Sequence, residues 1–186
     1  MDAVIRRAAP ADAAALHVLA AATFPLACPP ESTPADQRAF IEAHLSEASF
    51  QTYLTDPHRV LLVDERDQQL VGYTMLVLGE PTDADVRAAL DDDAARPAAE
   101  LSKCYALPAT HGTGVAAGLL EETVAEARRR GAGRVWLGVN QQNARAQRFY
   151  AKHGFSVVGE KRFRVGRRLE SDYVLVRDVP GIHSQE

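Results

Sequence analysis

Apolar and polar positions along this chain switch between a period of about two and a period of about 3.6, and the switches divide it into strands and helices. Ala3 to Arg7 predicts a short first strand. Pro10-Ala11-Asp12 opens a helix running toward Phe24, with Leu16 and Leu19 on one face; Pro25 and Pro29-Pro30 are expected to break it. Ser32-Thr33-Pro34 starts a second helix with Phe40, Ile41 and Leu45 at helical spacing, and residues 50–54 continue that helical arm. Val60 to Asp64 and Leu70 to Leu78 read as two strands joined by the charged turn Glu65-Arg66-Asp67. Residues 80–99 form an acidic, alanine-rich excursion containing Asp91-Asp92-Asp93, with room for a short helix.

The second half is more regular. Leu101 to Leu107 predicts a strand ended by Pro108. Val115 to Arg130 predicts an amphipathic helix whose Leu119, Leu120, Val124 and Ala127 share a face, with Glu121, Glu122, Glu126 and Arg128 largely outside it. Gly131 and Gly133 stop that helix. Arg134 to Val139 is a buried strand, Asn143 to His153 a helix ended by Gly154, and Phe155 to Glu160 with Ser171 to Arg177 a closing pair of strands. Hairpins early and late, with strand–helix crossovers between them, define a mixed α/β class. The expectation is one domain over residues 1–180 and a tail over 181–186.

Composition narrows the function. A chain of 186 residues supports one full-sized core. The net charge of −4 and the lack of a long basic stripe argue against nucleic acid, whose phosphates need clustered Lys and Arg. Cys28 and Cys104 form no CxxC pair and the six histidines no HxxxH pair, so no metal is expected. Two distant cysteines suit a reducing compartment. Asp12 and His17 interrupt the alanine-rich start, which reads as an amphipathic helix rather than a signal peptide. No run of ~20 apolar residues appears, so a cytoplasmic protein without a membrane partner is expected.

Glu100 to Leu120 is the most informative stretch. A strand ends at a proline, a short loop follows, and the glycine-spaced turn His111-Gly112-Thr113-Gly114 opens directly into a helix. The first amides of a helix have no internal partner, and the helix dipole adds positive potential there. Gly112 and Gly114 let that backbone approach a pyrophosphate, and Ala116 is small enough to keep the approach open. The Walker A lysine and the GxGxxG spacing of dinucleotide folds are both absent. Alone, such a turn is equally compatible with an ordinary helix start.

A second constellation follows it. Trp136 to Phe155 places Asn143 at a helix start, Ala146 three residues later, then the pair Phe149-Tyr150, then Gly154-Phe155. This N-x-x-A-x-x-F-Y-x-x-x-G-F pattern closely resembles the second half of the acetyl-coenzyme A site of GNAT N-acetyltransferases. The glycine turn resembles the first half, usually Q/R-x-x-G-x-G/A. The resemblance covers residues 100–160, and the strand beginning Asp172-Tyr173 also suits the family. It implies a mixed central β-sheet with splayed central strands flanked by helices, and transfer of an acetyl group from acetyl-coenzyme A to a primary amine. Ala-Thr-Phe24, Trp136 to Val139 and the Phe163 hairpin before Asp172 look like bacterial polyamine acetyltransferases of the PaiA type.

By position, the resemblance implies that the backbones of Cys104, Tyr105 and Ala106 bond the pantetheine amides. His111, Gly112, Thr113, Gly114, Val115, Ala116 and Ala117 would wrap the pyrophosphate. Asn143 would bond the pantetheine arm or acetyl end, and Tyr150 would stand by the thioester sulfur. His111 occupies a place usually held by Arg or Gln, which weakens a side-chain phosphate contact or makes it pH-dependent.

The family chemistry is direct attack by a neutral amine. An alkyl amine with a pKa of about 10 is mostly protonated at neutral pH, so a base must take its proton. Glu100 is the candidate base, against the plainer reading of a strand residue facing solvent. Tyr150 is the candidate donor to the departing thiolate, against a core aromatic beside Phe149. A backbone N–H from Cys104 to Ala106 would stabilise the oxyanion. An acetyl-cysteine at Cys104 is disfavoured because no paired base is evident. Asn143 also suits an N-cap, which is compatible with a ligand contact.

The amine itself is not legible. Residues 24–55 and 160–171 would choose it, and they carry little diagnostic chemistry. A coenzyme-A-binding sensor without turnover, and acetylation of a protein N-terminus or lysine, stay open as alternatives. So does a homodimer.

Overall fold

The computed structural model describes residues 3–90, 97–165 and 168–179, so Asp91, Asp92 and Asp93 and the expected tail lie outside the described residues. The chain clusters into two units: residues 1–77 with 103–123, and residues 78–102 with 124–186. The division falls within two strands and one helix.

The first unit holds strands β1 (Ala3–Arg7), β2 (Arg59–Arg66) and β3 (Gln69–Leu78, to Val77), and the end of β4 (Ala98–Ala106). β1 pairs antiparallel with β2, and β2 with β3. The β2–β3 turn falls at Asp67 and Gln68, both in the left-handed region (φ 49° and 65°), because β2 runs on through Glu65 and Arg66 of the expected turn. Two successive positive φ values match the right-handed twist of a two-residue hairpin. Helices α1 (Ala13–Ala27), α2 (Pro34–His44) and α3 (Glu47–Thr55) lie between β1 and β2 in the chain. Arg6 ties the start together, bonding both oxygens of Asp12 (2.8 and 2.9 Å) and Glu65 Oε2 (2.7 Å).

Three expectations about these helices need correction. Helix α1 runs through Pro25 to Ala27 instead of stopping there. Only two residues follow Pro25, so its missing N–H removes one bond near the end rather than a continuing ladder. The arm after it is two helices. Ser46 Oγ accepts from the Ser49 N–H (3.1 Å) and starts α3 afresh, directly after the buried Leu45. Nor is α1 clearly amphipathic. Leu16, Leu19 and Ala20 are buried, but Val18 and Leu26 are exposed on its outer side. By length and composition, Pro10–Ala27 is apolar enough to cross a membrane. Its buried face belongs to the core formed with Leu45, Phe50, Leu61, Val63, Tyr73 and Met75.

The second unit holds the start of β4, then β5 (Arg134–Asn140), β6 (Ser156–Val165) and β7 (Arg168–Asp178), in the spatial order β4-β5-β7-β6. β4 and β5 are parallel, pairing Ala98, Ala99 and Glu100 with Arg134, Val135 and Trp136. β4 runs on to Ala106, beyond that ladder. β7 is antiparallel to both of its neighbours. Helix α4 (Ala84–Ala89) is the short helix of the acidic excursion, capped by Asp83, whose carboxylate accepts from the Asp85 and Val86 amides. Val86 and Leu90 pack with Ala98, Trp136 and Val174. Helix α5 (Val115–Arg129) is divided between the units. Its expected apolar face is the buried one, including Leu119 and Leu120 in the first unit and Val124 and Ala127 in the second.

Candidate active site

In the first unit the chain turns from β4 into α5 through a tightly bonded loop. The Leu107 N–H bonds the Val71 carbonyl (2.8 Å), holding the end of β4 to β3. A 3-10 turn over Pro108–Thr110 follows, and Thr110 Oγ1 donates to the Leu107 carbonyl (2.7 Å). The amides of His111 and Thr113 bond the carbonyls of Pro108 and Thr110 (both 3.1 Å), and Thr113 Oγ1 donates to the Thr110 carbonyl as well (2.7 Å). Two of the expected cradle amides are thus engaged within the loop.

The glycines differ from these. Gly112 and Gly114 have φ of 81° and 88°, and no heavy atom lies within 4 Å of where a β-carbon would stand on either. The turn needs glycine for its backbone, and the space around it is open. The Gly118 N–H bonds the Gly114 carbonyl (2.8 Å). The amides of Val115, Ala116 and Ala117 precede that bond, in the part of a helix that lacks intrahelical partners. Open backbone, orphan amides and the positive end of a 15-residue helix fit a pyrophosphate.

Tyr105 and Tyr73 stack on neighbouring strands, with ring centroids 5.7 Å apart and planes 24° from parallel. Burial raises both phenols well above the ordinary tyrosine range. Neither is therefore an acid–base group near neutral pH. The Tyr105 side chain is held in the aromatic cluster, while Cys104, Tyr105 and Ala106 carry the strand backbone to its end.

In the second unit, Asn143 caps helix α6 (Ala144–Lys152), its Oδ1 accepting from the Ala146 N–H (3.0 Å). The cap uses the carbonyl oxygen and leaves the Nδ2 donors to other partners. Tyr150 is half-buried on α6, edge-on to Phe149 (5.2 Å) and Phe155 (5.7 Å). The Phe155 N–H also bonds the Tyr150 carbonyl (3.0 Å). Such packing limits the ring's freedom at low entropic cost.

Glu100, half-buried on β4, is the partner of Trp136 on β5. Paired residues of adjacent strands share a face, so Glu100, Trp136, Gly138 and Asn140 lie on one side. Asp172, paired with Asn140, lies there too. Lys161 follows as the partner of Asp172 on β6. A β-carbon on Gly138 would lie 2.8 Å from Lys161 Cε, 3.2 Å from its Nζ and 3.1 Å from Asp172 Oδ2. A side chain there would have to push aside the ends of two charged side chains, which close over the strand. Asn140 Nδ2 donates to Glu170 Oε2 (3.1 Å). Burial pushes the Asp172 carboxyl up to about 6; Lys161 opposes the rise and Glu170 adds to it.

Asp172, Lys161 and Gly138 were not legible as site residues. The one local signal was a glycine inside an otherwise apolar strand, which marks a close approach. Among the described residues, no group of three His, Cys, Asp or Glu could hold a metal ion.

The sequence profile of the acetyltransferase (GNAT) family matches residues 19–155. The chain belongs to that family and is an acetyl-coenzyme-A-dependent acyltransferase. Among its relatives is an uncharacterized N-acetyltransferase of Mycobacterium tuberculosis strain H37Rv. It is 50% identical over 168 residues, which span 90% of this chain and 98% of that one. The fold resembles the PaiA N-acetyltransferase of Thermoplasma acidophilum, solved with coenzyme A, at a TM-score of 0.74 and 20% identity, covering 96% of this chain and 99% of that one. It also resembles the ribosomal-protein-S18-alanine N-acetyltransferase of Escherichia coli, at 0.67 and 16%, covering 100% and 99%.

Proposed function

We propose that this chain acetylates a primary amine of a small molecule, a polyamine among the candidates, by direct attack within a ternary complex of enzyme, acetyl-coenzyme A and acceptor. The observation that carries the reading is the open glycine turn at the start of α5. It offers backbone donors at the place where the family motif calls for them.

Acetyl-coenzyme A supplies the activated acetyl thioester. The amides from Gly112 to Ala117 that the loop does not itself use would hold its pyrophosphate. The His111 side chain, exposed at the turn, is available to a phosphate but is a weaker partner than arginine. The backbone of Cys104 to Ala106 would bond the pantetheine arm and present an N–H to the thioester oxygen. Asn143 Nδ2 would donate to the same arm.

Two side chains would move protons. Glu100 takes a proton from the acceptor nitrogen, so that a neutral amine attacks. Tyr150 gives its phenolic proton to the departing thiolate. An ordinary phenol, with a pKa near 10, is protonated at neutral pH and can donate to a thiolate of comparable basicity. The fixed ring of Tyr150 supports that role, since a donor must already be in place when the bond breaks.

Thiol release from acetyl-coenzyme A, followed across a panel of monoamines, diamines, amino acids and peptides, tests the reading. The expected result is amine-dependent release with at least one small amine, slowed in Glu100→Gln at neutral pH. Tight coenzyme A binding without release for any amine would instead define a sensor.

A further inference from the structure

The face of the second unit that carries Glu100 contains more than a base needs. Recognition of an alkylammonium calls for a carboxylate, an aromatic or apolar wall for the methylenes, and backbone open enough for the chain to lie against. Asp172, Trp136 and Gly138 supply these three on one face of β5 and β7. The protein also shows how such a group sits there. The Lys161 side chain lies across Gly138, with its Nζ 6.0 Å from the centre of the Trp136 ring. Its Nζ and Asp172 Oδ2 approach the same point above Gly138, at 3.2 and 3.1 Å.

The aromatic wall of this face is fixed by packing. Trp136 is 4% exposed, and its indole Nε1 is buried without a hydrogen-bond partner among the described residues. Trp136 stands two residues before Gly138 and is the strand partner of Glu100.

We propose that Asp172 holds a second, non-reacting ammonium of a di- or polyamine acceptor against Trp136, in the place that Lys161 fills when no acceptor is bound. The proposal rests on the amine-acetylation reading above and narrows its substrate class. An ammonium held by Asp172 cannot itself attack the thioester, so the acceptor needs another amine, and that amine is the one Glu100 serves. Residues near Asp172 set the balance: Lys161 on β6 competes with the guest, while Glu170 on β7 adds negative charge. Asp85 of α4 contacts the β6 backbone at the Arg162 N–H (3.4 Å).

The test compares 1,4-diaminobutane with butylamine as acceptors at pH 8, and reads the fluorescence of Trp136, the only tryptophan of the chain. The wild type is expected to show the lower KM for the diamine, and a Trp136 fluorescence change on adding the diamine without acetyl-coenzyme A. Asp172→Asn should raise the diamine KM by about tenfold or more, the loss of one charge-assisted contact, with a much smaller change in kcat. Lys161→Met leaves the carboxylate in place and removes its competitor, so it should lower the diamine KM. Thermal melts and coenzyme A affinity show that each variant is folded.

Equal KM values for the two amines, a diamine KM indifferent to Asp172→Asn, or a higher diamine KM in Lys161→Met would each overturn the proposal. These outcomes are separable from failure of the acetylation reading. If no amine supports thiol release while Trp136 reports Asp172-dependent diamine binding, the ammonium site stands and the transferase reading falls.

Discussion

Gly72 of β3 and Val115 of α5 approach so closely that a β-carbon at position 72 would lie 2.8 Å from Val115 Cγ1. It would be equally close to Leu119 Cδ1, and 3.1 Å from the Tyr105 carbonyl oxygen. Val115 and Leu119 are buried, so the start of α5 is seated directly on the strand. This contact aims the helix-start amides that are proposed to hold the pyrophosphate. Gly72→Ala is expected to cost ~1–3 kcal/mol by overpacking and to weaken coenzyme A binding together with stability. Urea denaturation and coenzyme A titration check it. Unchanged affinity in a destabilised variant would show that the helix start is placed by other contacts.

Gly114 acts through its backbone. At φ 88° with open space around it, a side chain meets strain and no clash. Gly114→Ala should cost ~1–2 kcal/mol of stability. A bulky residue such as Gly114→Val should add a large loss of coenzyme A affinity, because it fills the approach to the phosphate. Isothermal titration with coenzyme A separates the two effects, and wild-type affinity in Gly114→Val would remove the turn from the binding site.

Tyr150→Phe preserves the ring and its contacts with Phe149 and Phe155 while deleting the proton. Turnover is expected to fall ~100-fold or more, as for loss of a general acid, with little change in the KM for acetyl-coenzyme A. Steady-state kinetics decide it. Equal turnover would reduce Tyr150 to a packing residue.

The Asp172 carboxyl titrates near 6 in the folded chain, above its unfolded value of about 4. The folded state therefore holds the proton more tightly. That contribution is fully present below pH ~4 and is lost as pH rises through about 6. Asp172→Asn should accordingly gain stability over the wild type at pH 8 and show no such gain at pH 4. Denaturation midpoints at the two pH values measure this, and parallel midpoints would mean that Lys161 already balances the charge.

The local parts were legible in the linear chain. Period, caps and breakers placed nearly every strand and helix, and Asn143 as a cap follows from its position alone. The glycines at 112 and 114 were legible as an open turn before a helix, and the structure adds that both take left-handed φ of 81° and 88°. Where the prediction slipped, the cause was local competition. Ser46 nucleated a new helix that a continuous apolar spacing had hidden, and α1 outran Pro25 because the proline fell within its last residues.

Tertiary structure decided what lies beside what. Gly72 is an unremarkable strand residue until α5 is set upon it. Asp172 is an ordinary acid until strand register places it across from Lys161 and on the face of Glu100 and Trp136. Its raised pKa comes from burial, which belongs to the packed molecule and has no counterpart in the linear chain. The motifs name the cofactor because a phosphate site can be built from neighbouring backbone amides at a helix start. The proposed acceptor site draws on side chains from β4, β5, β6 and β7, and only pairing between strands distant in the sequence brings those together.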